Sequence, residues 1–311
     1  MSLLLALLAL AQVTPTPTGP AGTADAIARR IADPVGGPIV VAHRGCHNPS
    51  PHHDLAAAPE NSLAALDHCV LLGVEVMETD VRRTRDGHLV MIHDETVDRT
   101  TNGHGKVADL SLAQIKTLRL RENEGGAAIT DAQVPTLDEL LVHAGNRIVL
   151  NLDIKDAIYP EVIAAVRRAG MARRVIVKTS AGIGSPALSA LAPYDQVPFM
   201  PILSSADEGG TDLAVVARQQ TDGRHPPIGY EVPRMAGEML PALTAEAKRQ
   251  HVRLWNNTLW DGFIAGYGGD IDALRAPDAV WGRLIEAGVS MIQTDEPEAL
   301  KIYLSKRPSR R

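Results

Sequence analysis

Aromatic residues are scarce in this chain of 311 residues, where Phe, Trp and Tyr together make up 3%. A core without them must rest on Ala, Leu, Val and Ile, and the 45% hydrophobic content is enough for a large one. Basic runs are also missing, and the net charge is −6. Nucleic-acid binders carry a basic face or stripe, so no nucleic-acid partner is expected. No apolar run reaches the roughly 20 residues needed to span a bilayer. No glycine-rich phosphate loop follows any early strand candidate, which speaks against a doubly wound open sheet.

Cysteine is nearly absent. Cys46 and Cys69 are the only two, and two could form one bridge in an exported protein. Cys46 directly follows the first strand candidate, at its C-terminal end. Cys69 lies over two turns into the next helix, which runs the other way. At 1.5 Å per residue this puts them about 10 Å or more apart, beyond the usual Cα–Cα limit of about 7 Å. No disulfide is expected.

The N-terminus holds a short apolar run at residues 3–11, closed by Ala9-Leu10-Ala11 and followed by a Thr/Pro-rich stretch. The run fits a signal peptide with small-x-small cleavage. The reading is a signal peptide and linker over residues 1–20, cleavage after Ala11, a secreted or periplasmic location, and no stable membrane anchor. With no Lys or Arg ahead of the run, a hydrophobic tail on a cytoplasmic protein is the alternative.

From residue 38 onward, short β-branched runs alternate with Ala/Leu-rich helical patterns. Strands are predicted at 38–43, 74–81, 88–93, 147–155, 175–180, 198–203, 228–232, 252–257 and 291–294. This alternation indicates a parallel sheet with helices outside it. One domain over residues 38–305 fits the size of a TIM-type (β/α)8 barrel. Nine candidates are one too many for eight strands. Only a short turn around Asp86-Gly87 joins the second and third, whereas a parallel crossover needs a dozen residues or more. That pair is expected to form a local hairpin excursion after the second strand.

Catalytic groups of such barrels sit at the C-terminal ends of strands. Ionisable residues cluster there: His43-Arg44, Glu78-x-Asp80, His93-Asp94, Asp153-x-Lys155 and Asp295. Glu78 and Asp80 share one face of a strand, as do Asp153 and Lys155. Inward carboxylates repel unless a cation or protons compensate. Three of them without thiolates favour a hard ion, Mg²⁺ or Ca²⁺; salt bridges to Lys155 and Arg44 are the competing explanation. His43 and His93 are placed at one mouth, where two imidazoles suit general acid and base. Arg44 and Lys155 would neutralise phosphate oxygens. His47, His52 and His53 lie on a loop, and His52-His53-Asp54 reads as solvated, with a second metal site as the alternative.

Longer stretches carry a resemblance. They are His43-Arg44-Gly45, Pro59-Glu60-Asn61-Ser62, Glu78-Thr79-Asp80-Val81, Thr84-Arg85-Asp86-Gly87, residues 90–103, Val134-Pro135-Thr136-Leu137, residues 151–155 and Thr294-Asp295-Glu296-Pro297. In that order and spacing the chain resembles the glycerophosphodiester phosphodiesterase family of the phosphatidylinositol-phospholipase-C-like superfamily. The resemblance implies a barrel enzyme that cleaves a small-molecule phosphodiester to glycerol 3-phosphate and an alcohol. It implies His43 and His93 as the acid/base pair, Glu78, Asp80 and Asp153 around a divalent cation with Glu60 close by, and Arg44 and Lys155 on the phosphate. Asp153 stands where the family more often has Glu, and residues 261–278 form a long loop expected over the mouth. Two alternatives remain. One is a phospholipase for lysophospholipid or phosphoinositide-type head groups, with Phe263, Ile264 and Tyr267 as an apolar lip; the other is an inactive barrel that binds phosphate esters.

Overall fold

Nine apolar runs become strands: β1 (Ile39–Ala42), β2 (Val76–Arg83), β3 (Leu89–Met91), β4 (Val149–Ile154), β5 (Val175–Ala181), β6 (Phe199–Leu203), β7 (Gly229–Glu231), β8 (Arg253–Asn257) and β9 (Met291–Thr294). The structure is a computed structural model that describes residues 24–203, 212–221, 225–232 and 234–307. The predicted signal peptide and linker at 1–20 lie outside the described residues. The sheet order is β1-β9-β8-β7-β6-β5-β4-β2-β3, and a β1–β2 pairing closes the ring. Eight parallel strands thus form a TIM-type barrel, with helices between them.

Side chains alternate along each strand, so one set points into the barrel. Ile39, Val41, Val76, Val149, Ile176, Met200, Trp255 and Met291 form the lower interior. Helix α1 (Ala24–Ala32) packs on this cluster through Ala24 and Ile31. Arg253, 1% exposed, donates to the carbonyls of Arg30 and Ile31 and so satisfies the helix's last turn. The packed unit therefore starts before residue 38. A larger cluster fills the space between barrel and outer helices.

The expected excursion is present. β2 runs on past the barrel rim, turns at Asp86-Gly87, and β3 returns antiparallel with Val81 opposite Met91. Gly87 takes φ 86° in this turn. The loops that follow bury a small core of their own, including Val90, Ile92, Ile115 and Val134. β3 ends pointing back at the mouth, where the Ile92 N–H donates to the Asp80 carbonyl at 3.1 Å. His93 thus reaches the mouth by an antiparallel return, not as the end of a barrel strand.

The cysteine expectation is overturned. Cys46 and Cys69 form a disulfide with Cα atoms 5.1 Å apart. The expectation left Cys46 at the C-terminal end of β1, over two helical turns from Cys69. The chain reverses there instead, because Arg44 and Gly45 take φ 52° and 85°. A Cβ on Gly45 would come within 2.8 Å of the Ala65 Cβ and 2.9 Å of the Met77 Cε. The reversal lays Cys46 along helix α2 (Leu63–Leu71), where its N–H donates to the Ala65 carbonyl. Closing a loop over a separation of 23 residues restrains the unfolded chain by about 3 kcal/mol.

Candidate active site

The C-terminal mouth gathers the predicted residues. Asp80 and Asp153 face each other in register across β2 and β4, and Glu78 lies one inward step below Asp80. One ligand atom from each of Glu78, Asp80 and Asp153 lies within 4.8 Å of the others. Glu78 and Asp80 are buried. The competing salt bridges are also there: Lys155 Nζ stands 3.0 Å from Asp80 and 2.9 Å from Asp153, and Arg44 Nε lies 3.8 Å from Asp80. They do not balance the cluster. Glu78 accepts the Arg44 backbone N–H at 2.8 Å, and burial, then the charge of Asp80, push its carboxyl up to about 7. Burial also works against ionised Asp80, but Lys155, His93 and Arg44 outweigh it and hold that carboxyl low. Glu78, Asp80 and Asp153 offer an all-oxygen donor set, which suits a hard divalent ion.

Each predicted histidine has a carboxylate behind it. His43 Nδ1 faces Asp295 Oδ1 at 2.8 Å, and His93 Nδ1 faces Asp94 Oδ1 at 2.7 Å. Such a partner fixes the ring and leaves Nε2 for chemistry. Burial disfavours the charged form of His43, yet the hydrogen bond and charge of Asp295 prevail and raise its affinity for a proton. Asp94 is in turn gripped by Arg99 at 2.7 and 3.0 Å, and those hydrogen bonds, with that from His93, hold its carboxyl far below the usual range.

Glu60, expected close by the cation, lies one arginine away from Asp80. Its carboxylate receives Arg99 on both oxygens at 2.8 Å and Arg44 at 3.0 Å. Two guanidiniums already surround it, and it is not part of the three-carboxylate group. Its neighbour Asn61, at φ 55°, donates to Asp80 at 2.9 Å and accepts from Thr79 and the Asp80 N–H. Asn61 thus locks the ligand strand, and Ser62 next to it caps α2 by accepting from Ala65. Arg44 Nε is buried without a hydrogen-bond partner, 3.8 Å from Asp80.

Sequence reasoning missed Lys178 and Glu231, a buried pair on β5 and β7. Lys178 also stands 4.2 Å over the Trp255 ring. Burial opposes its charge, but Glu231, Asp153 and Glu78 keep it protonated. Its alternation with inward Ile176 was the available signal. Of the three residues considered for an apolar lip, Phe263 and Ile264 are buried and Tyr267 is half-buried, while Trp260, Ile271 and Leu274 are 51%, 66% and 52% exposed in the same stretch of chain. His52 and His53 are exposed and both face Glu298.

The glycerophosphoryl diester phosphodiesterase family model matches residues 43–299. A glycerophosphodiester phosphodiesterase of Caldanaerobacter subterraneus subsp. tengcongensis is 31% identical over 269 residues, which cover 84% of this chain and 96% of that protein. Among solved structures, a glycerophosphoryl diester phosphodiesterase from Parabacteroides distasonis superposes with a TM-score of 0.68 at 23% identity, over 94% of this chain and 95% of that one. A phosphodiesterase from Oleispira antarctica, solved in complex with the product sn-glycerol-3-phosphate, gives 0.62 at 20% identity, over 87% and 98%.

Proposed function

This chain belongs to the glycerophosphoryl diester phosphodiesterase family, and from that premise we propose a metal-dependent, two-histidine hydrolysis of glycerophosphodiesters to glycerol 3-phosphate and an alcohol. It is a phosphoric diester hydrolase with a small-molecule substrate. The observation that carries the mechanism is the pair of histidines, each backed by a carboxylate, at the mouth that holds three crowded acids.

Glu78, Asp80 and Asp153 would hold the divalent cation, Mg²⁺ or Ca²⁺, which when bound supplies charge to polarise the phosphoryl oxygens. Arg44 would present its guanidinium, held in place by Glu60 at 3.0 Å, to a phosphate oxygen. Lys155, fixed between Asp80 and Asp153, adds a second positive contact. One of His43 and His93 takes the proton from the attacking hydroxyl or water, and the other protonates the departing alkoxide. Asp295 and Asp94 hold the rings in the tautomers this requires.

Phe263 and Ile264, two of the three residues considered for a lipid-binding lip, are buried, and in this reading soluble glycerophosphodiesters are the better substrates. A panel of glycerophosphocholine, glycerophosphoethanolamine and lysophospholipid, assayed for glycerol 3-phosphate, is expected to favour the soluble members. Faster release from lysophospholipid would reverse the substrate order.

We also propose that the chain works outside the cytoplasm, in the secreted or periplasmic space. The Cys46–Cys69 disulfide supports this, because such bonds persist in oxidising compartments. Intact mass of native protein should correspond to a chain starting at Gln12. A chain retaining Met1 in a reducing fraction would contradict it.

A further inference from the structure

His47 has no part in the mechanism above, yet it is 1% exposed. Its Nδ1 faces Asn123 Oδ1 at 2.6 Å, and its Nε2 faces Asp295 Oδ1 at 3.2 Å. The same Asp295 oxygen faces His43 Nδ1 at 2.8 Å, and Glu124 Oε1 stands 4.0 Å from His47 Nε2. One ligand atom from each of His43, His47, Glu124 and Asp295 lies within 4.8 Å of the others.

Donors around a tetrahedral ion at ~2.1 Å stand about 3.4 Å from one another. Three of the separations, 2.8, 3.2 and 4.0 Å, straddle that spacing, and all four atoms lie within 4.8 Å of one another. Arg44 Nη1, 3.4 Å from the Glu124 oxygen, would give way to the ion. Two imidazoles with two carboxylates are donors for a zinc-class ion, in contrast to the all-oxygen cluster across the mouth. The Glu124 carboxylate is presented from a fixed backbone: Asn123 and Gly125 adopt φ 50° and 91°, the Asn123 carbonyl accepts from Glu60, and the Glu124 carbonyl accepts from Arg99. Asn123 on Nδ1 orients the His47 ring, as outer partners of metal-binding histidines do.

We propose that His43, His47, Glu124 and Asp295 form a second metal site, selective for Zn²⁺ and chemically similar ions, whose occupation withdraws His43 from catalysis. Coordination through His43 Nδ1 needs that nitrogen free of its proton: the neutral ring moves the proton from Nδ1 to Nε2 through solvent, with none released, and an imidazolium releases its Nδ1 proton to solvent. Either way the ring carries its one hydrogen on Nε2. It has no lone pair there to act as base, and it gives that hydrogen up less readily than an imidazolium would. The inhibition rests on the catalytic reading of His43; the binding does not.

The test uses the full chain, freed of metal, loaded with excess Ca²⁺ and then equilibrated with Zn²⁺. Elemental analysis should find one Zn²⁺ retained per chain. His47→Gln and Glu124→Gln should each weaken retention by ~10²-fold or more, because loss of even an outer partner costs 10–100-fold. Glu78→Gln should retain the ion, as should the double substitution His52→Ala with His53→Ala. Co²⁺ in place of Zn²⁺ should give the visible absorption of a four-coordinate site, lost in His47→Gln. Glu124, whose side chain is 42% exposed, also faces Arg44 at 3.4 Å, so retention of Zn²⁺ and not turnover is the readout for Glu124→Gln. No retained Zn²⁺, retention unchanged in both His47→Gln and Glu124→Gln, or loss in the His52/His53 variant would overturn the site. Zn²⁺ retained at this site with turnover unchanged would overturn the inhibition and point to His43, not to the metal site, as the failed assignment.

Discussion

Glu78→Gln and Asp80→Asn should each lower phosphodiester turnover by ~10²-fold or more while the barrel stays folded, since weakening even the outer support of a metal ligand costs 10–100-fold. Chelation should abolish the wild-type activity, and one divalent ion should restore it. Retention of fold is expected on physical grounds. In Glu78→Gln the introduced amide oxygen could still accept the N–H that Arg44 now gives to Glu78. The Glu78 carboxyl is held up at about 7 by burial and by Asp80, so ionising it near neutral pH costs the cation-free fold stability. A neutral amide removes that cost, and the cation-free melting temperature should not fall. Asp153 supplies the control. Asp153→Ala should raise the cation concentration needed for half activity, and Asp153→Glu should lower it again. Full turnover after thorough chelation, or an unchanged cation requirement in Asp153→Ala, would remove these residues from the role given to them.

Much of the fold is legible in the sequence because barrel strands are short β-branched runs with a strict alternation. The same alternation marks Glu78 with Asp80, and Asp153 with Lys155, as inward pairs. What stays hidden depends on closure. Asp295 is visible as a strand end, but only the parallel pairing of β1 with β9 brings it against His43, 252 residues away. Glu60 reads as an acid near the mouth; its capture by Arg99 depends on the satellite loops around β3. The disulfide is hidden by a reversal at Arg44 and Gly45, two residues whose left-handed backbone no pattern of hydrophobicity announces. Lys178 and Glu231 lie on strands that pair only through β6, so their union is a property of the ring.

The histidine pair should give the other large effect. Cleavage needs a deprotonated nucleophile and a protonated leaving alkoxide, and each general acid or base contributes roughly 10²–10⁴ in rate. His43→Ala and His93→Ala should each lose about that much on a glycerophosphodiester. The two rings are not equivalent: His43 is buried against Asp295, while the His93 side chain is 34% exposed beside Asp94. The pH–rate profile should be bell-shaped and lose one limb in each variant.

The measurement that separates the roles compares leaving groups. Nitrophenolate departs without a proton, whereas the alkoxide of a natural-type alcohol needs one. Turnover of a nitrophenyl phosphodiester and of glycerophosphocholine should be measured for wild type, His43→Ala and His93→Ala under identical cation concentrations. One variant should recover much of its loss on the nitrophenyl substrate, which identifies the acid. The other should lose about the same on both, which identifies the base. Near-normal turnover of glycerophosphocholine by both variants would contradict the two-histidine mechanism.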